Sequence, residues 1–254
     1  MTAPLTAVTP STFHHLRQCG LRVAYDRAGP GGPRPSSPGA RLGDAAHGVL
    51  ARVARGEFGV DPTQPGFDAA VSTAWGQEVA AQASASRLHP VEATFGPPEA
   101  WPSFNDVASR LAYEAGTLAA QVHEWAGRAL LVEQTIRPLG DTVWGTPDLI
   151  VGPGGGEGGT VIEFKSGAVG EEDTAPGGHM RDQVLLYAYL ARKVGLDVER
   201  AEVRPIGRTP VAFQLDDVET SALLHEAAVL LAAFNEATAA GQALALGQPS
   251  DEAC

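Results

Sequence analysis

Asp148, Glu163 and Lys165 stand in two short apolar segments, GTPDLIV and TVIEFKSG, and bring two carboxylates and an ammonium toward one place. Read with the two-residue alternation of a strand, Glu163 and Lys165 share one face, while Ile162 and Phe164 share the other and are available for burial. The intervening GPGGGEGG is glycine-rich and polar, as a hairpin connection is, so Asp148 is expected beside Glu163 on a paired strand. Two neighbouring carboxylates repel when both are ionised, and a hard divalent cation between them removes that cost. A lysine beside such a centre adds positive charge for an anionic substrate.

Several elements must position these groups. ALLVEQTIRPL and TVWGTPDLIV read as strands joined by LGDT, and TVIEFKSG adds a third, which makes an antiparallel meander. Pro147 cannot donate to the ladder, so a bulge or an end of regular pairing is expected where Asp148 is displayed. Upstream, a first helix is expected from Ser11 to about Arg27, then a loop over residues 29–40. A short amphipathic helix follows, with Leu42, Ala46, Val49, Leu50 and Val53 on its stripe and His47 at the stripe's border. Residues 66–88 and 104–128 read as two more helices, separated by the prolines of TFGPPEAWPS. Downstream, a polar acidic loop from Ser166 to about Gly178 precedes HMRDQVLLYAYLARKVG, a helix on which Gln183 and Tyr187 share a face. AEVRPIGR and PVAFQL are further strands, and Asp216 with Glu219 forms an Asp-x-x-Glu pair opening a closing helix.

The expected fold class is therefore α/β, a mixed sheet flanked by helices with a helical N-terminal half. It is organised as one domain over residues 1–240: a mostly helical part at 41–130, a sheet core with the motif helix at 129–215 and a closing helix at 216–240. Residues 241–254 are expected to be a disordered tail.

The bulk composition narrows the function classes. A chain of 254 residues that is 44% hydrophobic can build a sizeable core without staples. Its net charge of −12 excludes general coating by nucleic acid, because non-specific affinity comes from Lys and Arg on phosphates. Any such contact must be local, with Arg181, Arg192, Lys193, Arg204 and Arg208 as the cations nearest the motifs. No apolar run suits a membrane span and no leader is evident, so a cytoplasmic protein is expected. Cys19 and Cys254 lie near opposite ends of the chain, which excludes a disulfide framework and any four-cysteine site within it. Trp75, Trp101, Trp125 and Trp144 read as packing residues, and the His14-His15 pair as surface, since adjacent helical residues diverge by about 100°.

Pro147-Asp148, followed fifteen residues later (163 − 148) by Glu163-Phe164-Lys165, resembles the PD-(D/E)XK nuclease superfamily. His47 in LGDAAHGVL resembles the histidine motif of its RecB-like exonuclease branch. RDQVLLYAYL, with Gln183 and Tyr187, resembles that branch's Q-x-x-x-Y helix, and STFHHLRQCGLRVAYDRA its opening helix. The likeness runs in order from Ser11 to about Gly207. It implies a restriction-endonuclease-like core that hydrolyses DNA phosphodiester bonds with Mg²⁺ or Mn²⁺, acting in repair, recombination or defence. Asp148, Glu163 and Lys165 are the catalytic residues so implied; His47, Asp148, Glu163 and the Phe164 main-chain carbonyl are the implied metal ligands. Lys165 would orient or help deprotonate the attacking water. Gln183 and Tyr187 are implied to orient the site or contact DNA, and Glu133 to supply a further acidic contact. The sequence departs from the branch in lacking its four iron–sulfur cysteines, so no cluster is expected. GPGGGEGG lacks the lysine and hydroxyl of a phosphate loop, so no ATP is expected either, and any helicase would be a separate partner. The implied partner is DNA, as a single strand or a duplex end. Two other readings stay open: a non-catalytic nuclease-fold subunit or DNA-end clamp, and a metal-dependent hydrolase of a small anionic substrate.

Overall fold

Why the chain makes its strands where it does is clearest at the glycine-rich hairpin. The computed structural model describes residues 4–28, 35–59, 61–85 and 90–247. In it, β2 (Leu149–Val151) and β3 (Gly159–Lys165) pair antiparallel on either side of GPGGGEGG, and β1 (Leu130–Val132) pairs antiparallel with β2. β4 (Val198–Pro205) runs parallel to β3, and β5 (Val211–Gln214) antiparallel to β4, which gives one five-stranded mixed sheet in the order β1-β2-β3-β4-β5. A parallel pair needs a long crossover. Here it contains a single turn, α5 (Glu171–Thr174), inside what reads as an acidic loop, and then α6 (His179–Lys193).

Two helical layers cover the sheet. Ile150, Val161, Ala201 and Val203 face α1 (Pro10–Ala28), α6 and α7 (Asp217–Ala239), whose buried residues include Phe13, Val184, Leu186, Leu223 and Phe234. Leu149, Val151, Ile162 and Phe164 face the helical N-terminal half: α2 (Pro38–Ala54), α3 (Gly66–Ser84) and α4 (Phe104–Glu124). The alternation expected for Ile162 and Phe164 is thus present, and the fold class is the α/β arrangement that the sequence pattern gives.

The local departures have physical causes. α1 begins at Pro10, with the Thr9 hydroxyl accepting from Thr12 N, one residue before the expected Ser11 start, and it breaks at Cys19, whose backbone is extended. The two expected long strands are three residues each. β1 stops at Glu133, whose φ of 49° leaves strand geometry, and β2 starts only after Pro147. At α7, Asp216 caps as expected by accepting from Val218 N and Glu219 N, but the Glu219 carboxylate turns to Arg181 instead of back to the cap. In the expected tail, Ala243–Leu246 forms a 3₁₀ turn. Residues 248–254, Cys254 among them, and 29–34 of the expected loop lie outside the described residues. Among the described residues, no helix is long and apolar enough to cross a membrane.

Candidate metal centre

Strand register lines up three carboxylates. The pairs Leu130–Val151, Leu131–Ile150 and Val132–Leu149, continued by one residue, set Glu133 opposite Asp148, and Glu133 N donates to the Asp148 main-chain oxygen at 3.0 Å. The pairs Val151–Thr160, Ile150–Val161 and Leu149–Ile162, continued likewise, set Asp148 opposite Glu163. Glu133, Asp148 and Glu163 therefore form a row across β1, β2 and β3 at one end of the sheet. Because β2 begins at Leu149, just after Pro147-Asp148, Asp148 is displayed where the ladder opens.

His47 reaches the row from α2. Its Nδ1 lies 3.0 Å from Asp148 Oδ1, while Asp148 Oδ2 accepts the Phe164 N–H at 2.7 Å. Gly43, one turn before His47, lets the helix come this close: a Cβ there would meet Ser166 Oγ at 2.6 Å, just past Lys165. On the other side, Lys165 Nζ donates to Glu163 Oε1 and to Gln183 Oε1, both at 2.9 Å. Gln183 Nε2 donates to the same Glu163 oxygen at 2.7 Å and lies 3.3 Å from the Tyr187 hydroxyl. Gln183 on α6 thus fixes both members of the Glu163–Lys165 pair, and buried Tyr187 stands behind it. Gly145 makes room for that ring, since a Cβ there would fall 2.7 Å from Tyr187 Cε1.

The electrostatics are those of crowded acids. Asp148 is 8% exposed and Glu163 3%. Burial, then the charge of Asp148, pushes Glu163 up to about 7 against the pull of Lys165. Burial and Asp148 raise Glu133 to about 7 as well, against His47 and Arg55. Burial alone would lower His47, but the charge and hydrogen bond of Asp148, with Glu163 behind, hold it up at about 9. Burial, with Glu163 next, raises the Tyr187 hydroxyl above its usual range.

Two observations fit a cation to this place. His47, Glu133 and Asp148 each offer a ligand atom, all within 4.8 Å of one another. Glu163 Oε2 is buried with no hydrogen-bond partner, an oxygen of the kind a hard cation takes. Glu133, read from the sequence as a further acidic contact, thus joins His47 and Asp148 directly, and Glu163 flanks them. Phe164 is tied to Asp148 through its N–H. The centre opens into a cleft of about 490 Å³ lined also by Asp44, Arg52, Arg55 and Glu78. Sequence reading did not place these residues there, although Asp44, His47, Ala51 and Arg55 recur at the three- and four-residue steps of one helical face.

Four of the five cations expected to receive phosphate are otherwise engaged. Arg204 is 2% exposed and held by Glu202 and Gln121, Arg181 is bound by Glu219, Arg192 by Asp217, and Lys193 lies 3.7 Å from Asp141. Arg208 is exposed in the turn after β4. His14 does not simply face solvent: its ring stacks 4.7 Å from that of His179, which pairs with Asp173, and burial with the His179 charge lowers it to about 4. Trp75 and Trp101 are buried as expected, whereas Trp125 and Trp144 are only partly covered. No protein-family model matches the chain, and no curated protein matches it either.

Proposed function

We propose that the chain is a metal-dependent phosphodiesterase that hydrolyses DNA, as the resemblance to RecB-like nucleases implies. The observation that carries this reading is the Glu133–Asp148–Glu163 row, with His47 on Asp148 and Lys165 on Glu163. His47, Glu133 and Asp148 would hold Mg²⁺ or Mn²⁺, and the unpartnered Oε2 of the neighbouring Glu163 offers a further oxygen. Such a cation supplies a Lewis acid for a phosphoryl oxygen and eases loss of a proton from water near neutral pH. The protein's own groups supply the rest. Lys165, fixed by Glu163 and Gln183, carries its charge where a scissile phosphate would sit and stabilises the charge that develops on it. Asp148 uses one oxygen on His47 and the other on the Phe164 N–H, so its orientation is set before substrate arrives.

The test is cleavage of labelled single- and double-stranded DNA with Mg²⁺ or Mn²⁺ and with chelator, beside Asp148→Ala and Lys165→Ala. The wild type is expected to cut only with the metal, and each variant to lose about 100-fold or more in rate. A wild type that cuts nothing the two variants spare ends the assignment.

A further inference from the structure

The β1–β2 ribbon continues past the carboxylates. The register that sets Leu130 opposite Val151 recurs at the Ile136–Gly145 bridge, and the Thr135 and Thr146 hydroxyls meet at 2.8 Å just before it. One step further, the same register sets Arg137 opposite Trp144, and the Arg137 guanidinium lies 5.2 Å from the Trp144 ring centroid. Burial alternates along the ribbon: Ile136, Val143, Gly145 and Pro147 are buried, whereas Arg137 is exposed and Trp144 and Thr146 are half-buried. Trp144 and Thr146 therefore share one face, and Asp148 follows two residues on, at the bend that leads into β2.

Charge distinguishes this face from the rest of the site. Around the centre, Lys165 is paired with Glu163, Arg52 with Glu57 and Glu78, Arg55 with Glu57 and Arg181 with Glu219. Among the described residues no carboxylate lies within 4.0 Å of Arg137; its neighbour is the indole. The ribbon is also anchored: Val143 bridges to Val8, and Asp141 accepts from Tyr189 at 2.8 Å. An unpaired guanidinium, an indole face and two hydroxyls in line are the donors and stacking surface that a polyanion with exposed bases requires. In a duplex the base faces are already covered by stacking.

We infer that this ribbon is the path of a single-stranded nucleic acid, with a base stacked at Trp144 and a phosphate on Arg137, leading the next phosphates past the threonine hydroxyls to the carboxylate row. The inference rests on the nuclease reading and specifies the strand form that its site takes. The ribbon is pre-formed, so little ordering cost attends binding.

The experiment measures binding of a fluorescein-labelled dT oligomer with Ca²⁺, and its cleavage with Mg²⁺. The proteins are wild type, Trp144→Ala, Trp144→Phe, Arg137→Ala and, as control, Arg200→Ala, which pairs with Glu157 at the sheet's other end. Trp144→Ala should weaken dT binding about tenfold, leave an abasic deoxyribose-phosphate oligomer unaffected, and be largely rescued by Trp144→Phe. Arg137→Ala should weaken both oligomers and reduce the slope of log K against log salt by about 0.7. Arg200→Ala should change neither. Should Trp144→Ala fail to fold, the wild type's own preference for dT over the abasic oligomer decides the stacking claim, and equal binding overturns it. If the wild type cuts DNA while Trp144→Ala and Arg137→Ala bind and cut as it does, this inference alone fails; a wild type that neither binds nor cuts any DNA overturns the nuclease reading with it.

Discussion

Glu133 and Glu163 settle their conflict with Asp148 by holding protons to about 7, well above the ordinary value of 4.5. The folded chain therefore keeps protons that the unfolded chain releases between those values. Their stabilising effect is present below about 4.5 and is lost as pH rises through 7. A cation reverses that trend, because it binds the deprotonated acids, and His47, held at about 9, adds a further proton to the competition. Mn²⁺ at a hundred times its Kd should stabilise the protein by about 2.7 kcal/mol, a rise in Tm of roughly 5–10 °C. At one fixed Mn²⁺ concentration the rise should be larger at pH 8 than at pH 6, and it should be absent in Asp148→Ala. Differential scanning calorimetry of both proteins across this range measures it; an equal shift in Asp148→Ala, or one that shrinks toward pH 8, rules out the row as the cation's place.

Elements hold these residues by contacts that sequence spacing does not announce. Arg41 on α2 is paired with Glu92, in a 3₁₀ turn beyond α3, with side chains only 7% and 4% exposed, and its guanidinium also reaches the Gln82 carbonyl. Glu92→Ala strands a buried cation and should cost about 3–5 kcal/mol in urea unfolding, whereas replacing both partners by Met and Leu should recover most of it. Because α2 carries His47, Mn²⁺ affinity should fall in the single variant and return in the double. Local rules made much of the fold legible: the glycine-rich hairpin, the alternation in TVIEFKSG and the apolar stripe of α2 each express one periodicity. The ordered motifs likewise singled out His47, Asp148, Glu163, Lys165 and Gln183, which the folded chain brings together. Two kinds of feature stayed hidden. The short β1 depends on a single backbone angle at Glu133, which a strand-like run of side chains does not reveal. The Arg41–Glu92 clip and the acidic partners of Arg181 and Arg192 join residues distant in sequence, and only the packed helices bring them together.

Over the whole molecule, a net charge of −12 repels a polyanion, so the local balance of charge around the cleft decides whether DNA is held. Arg52 and Arg55 line that cleft, yet Glu57 and Glu78 neutralise them at 3.3 to 3.7 Å, and exposed pairs of this kind contribute little to stability. The two arginines are thus held in reserve by their acidic neighbours. With Arg137 and Arg208 as the cations at this end of the sheet that no carboxylate approaches among the described residues, the wild type should release few counterions. Its log K for a single strand should fall with log salt at a slope no steeper than about −1.4, at ~0.7 for each of these two contacts. Replacing Glu57 and Glu78 by Gln exposes two more guanidiniums beside His47 and removes two negative charges. The double variant should bind dT oligomers more tightly at low salt, steepen the slope by about 1.4, and keep the wild-type Tm within about 2 °C. Titrations by fluorescence anisotropy between low and physiological salt measure both quantities. Unchanged affinity and slope would mean that the strand does not cross the α2 side of the cleft, and that the ribbon bearing Arg137 and Trp144 alone receives it.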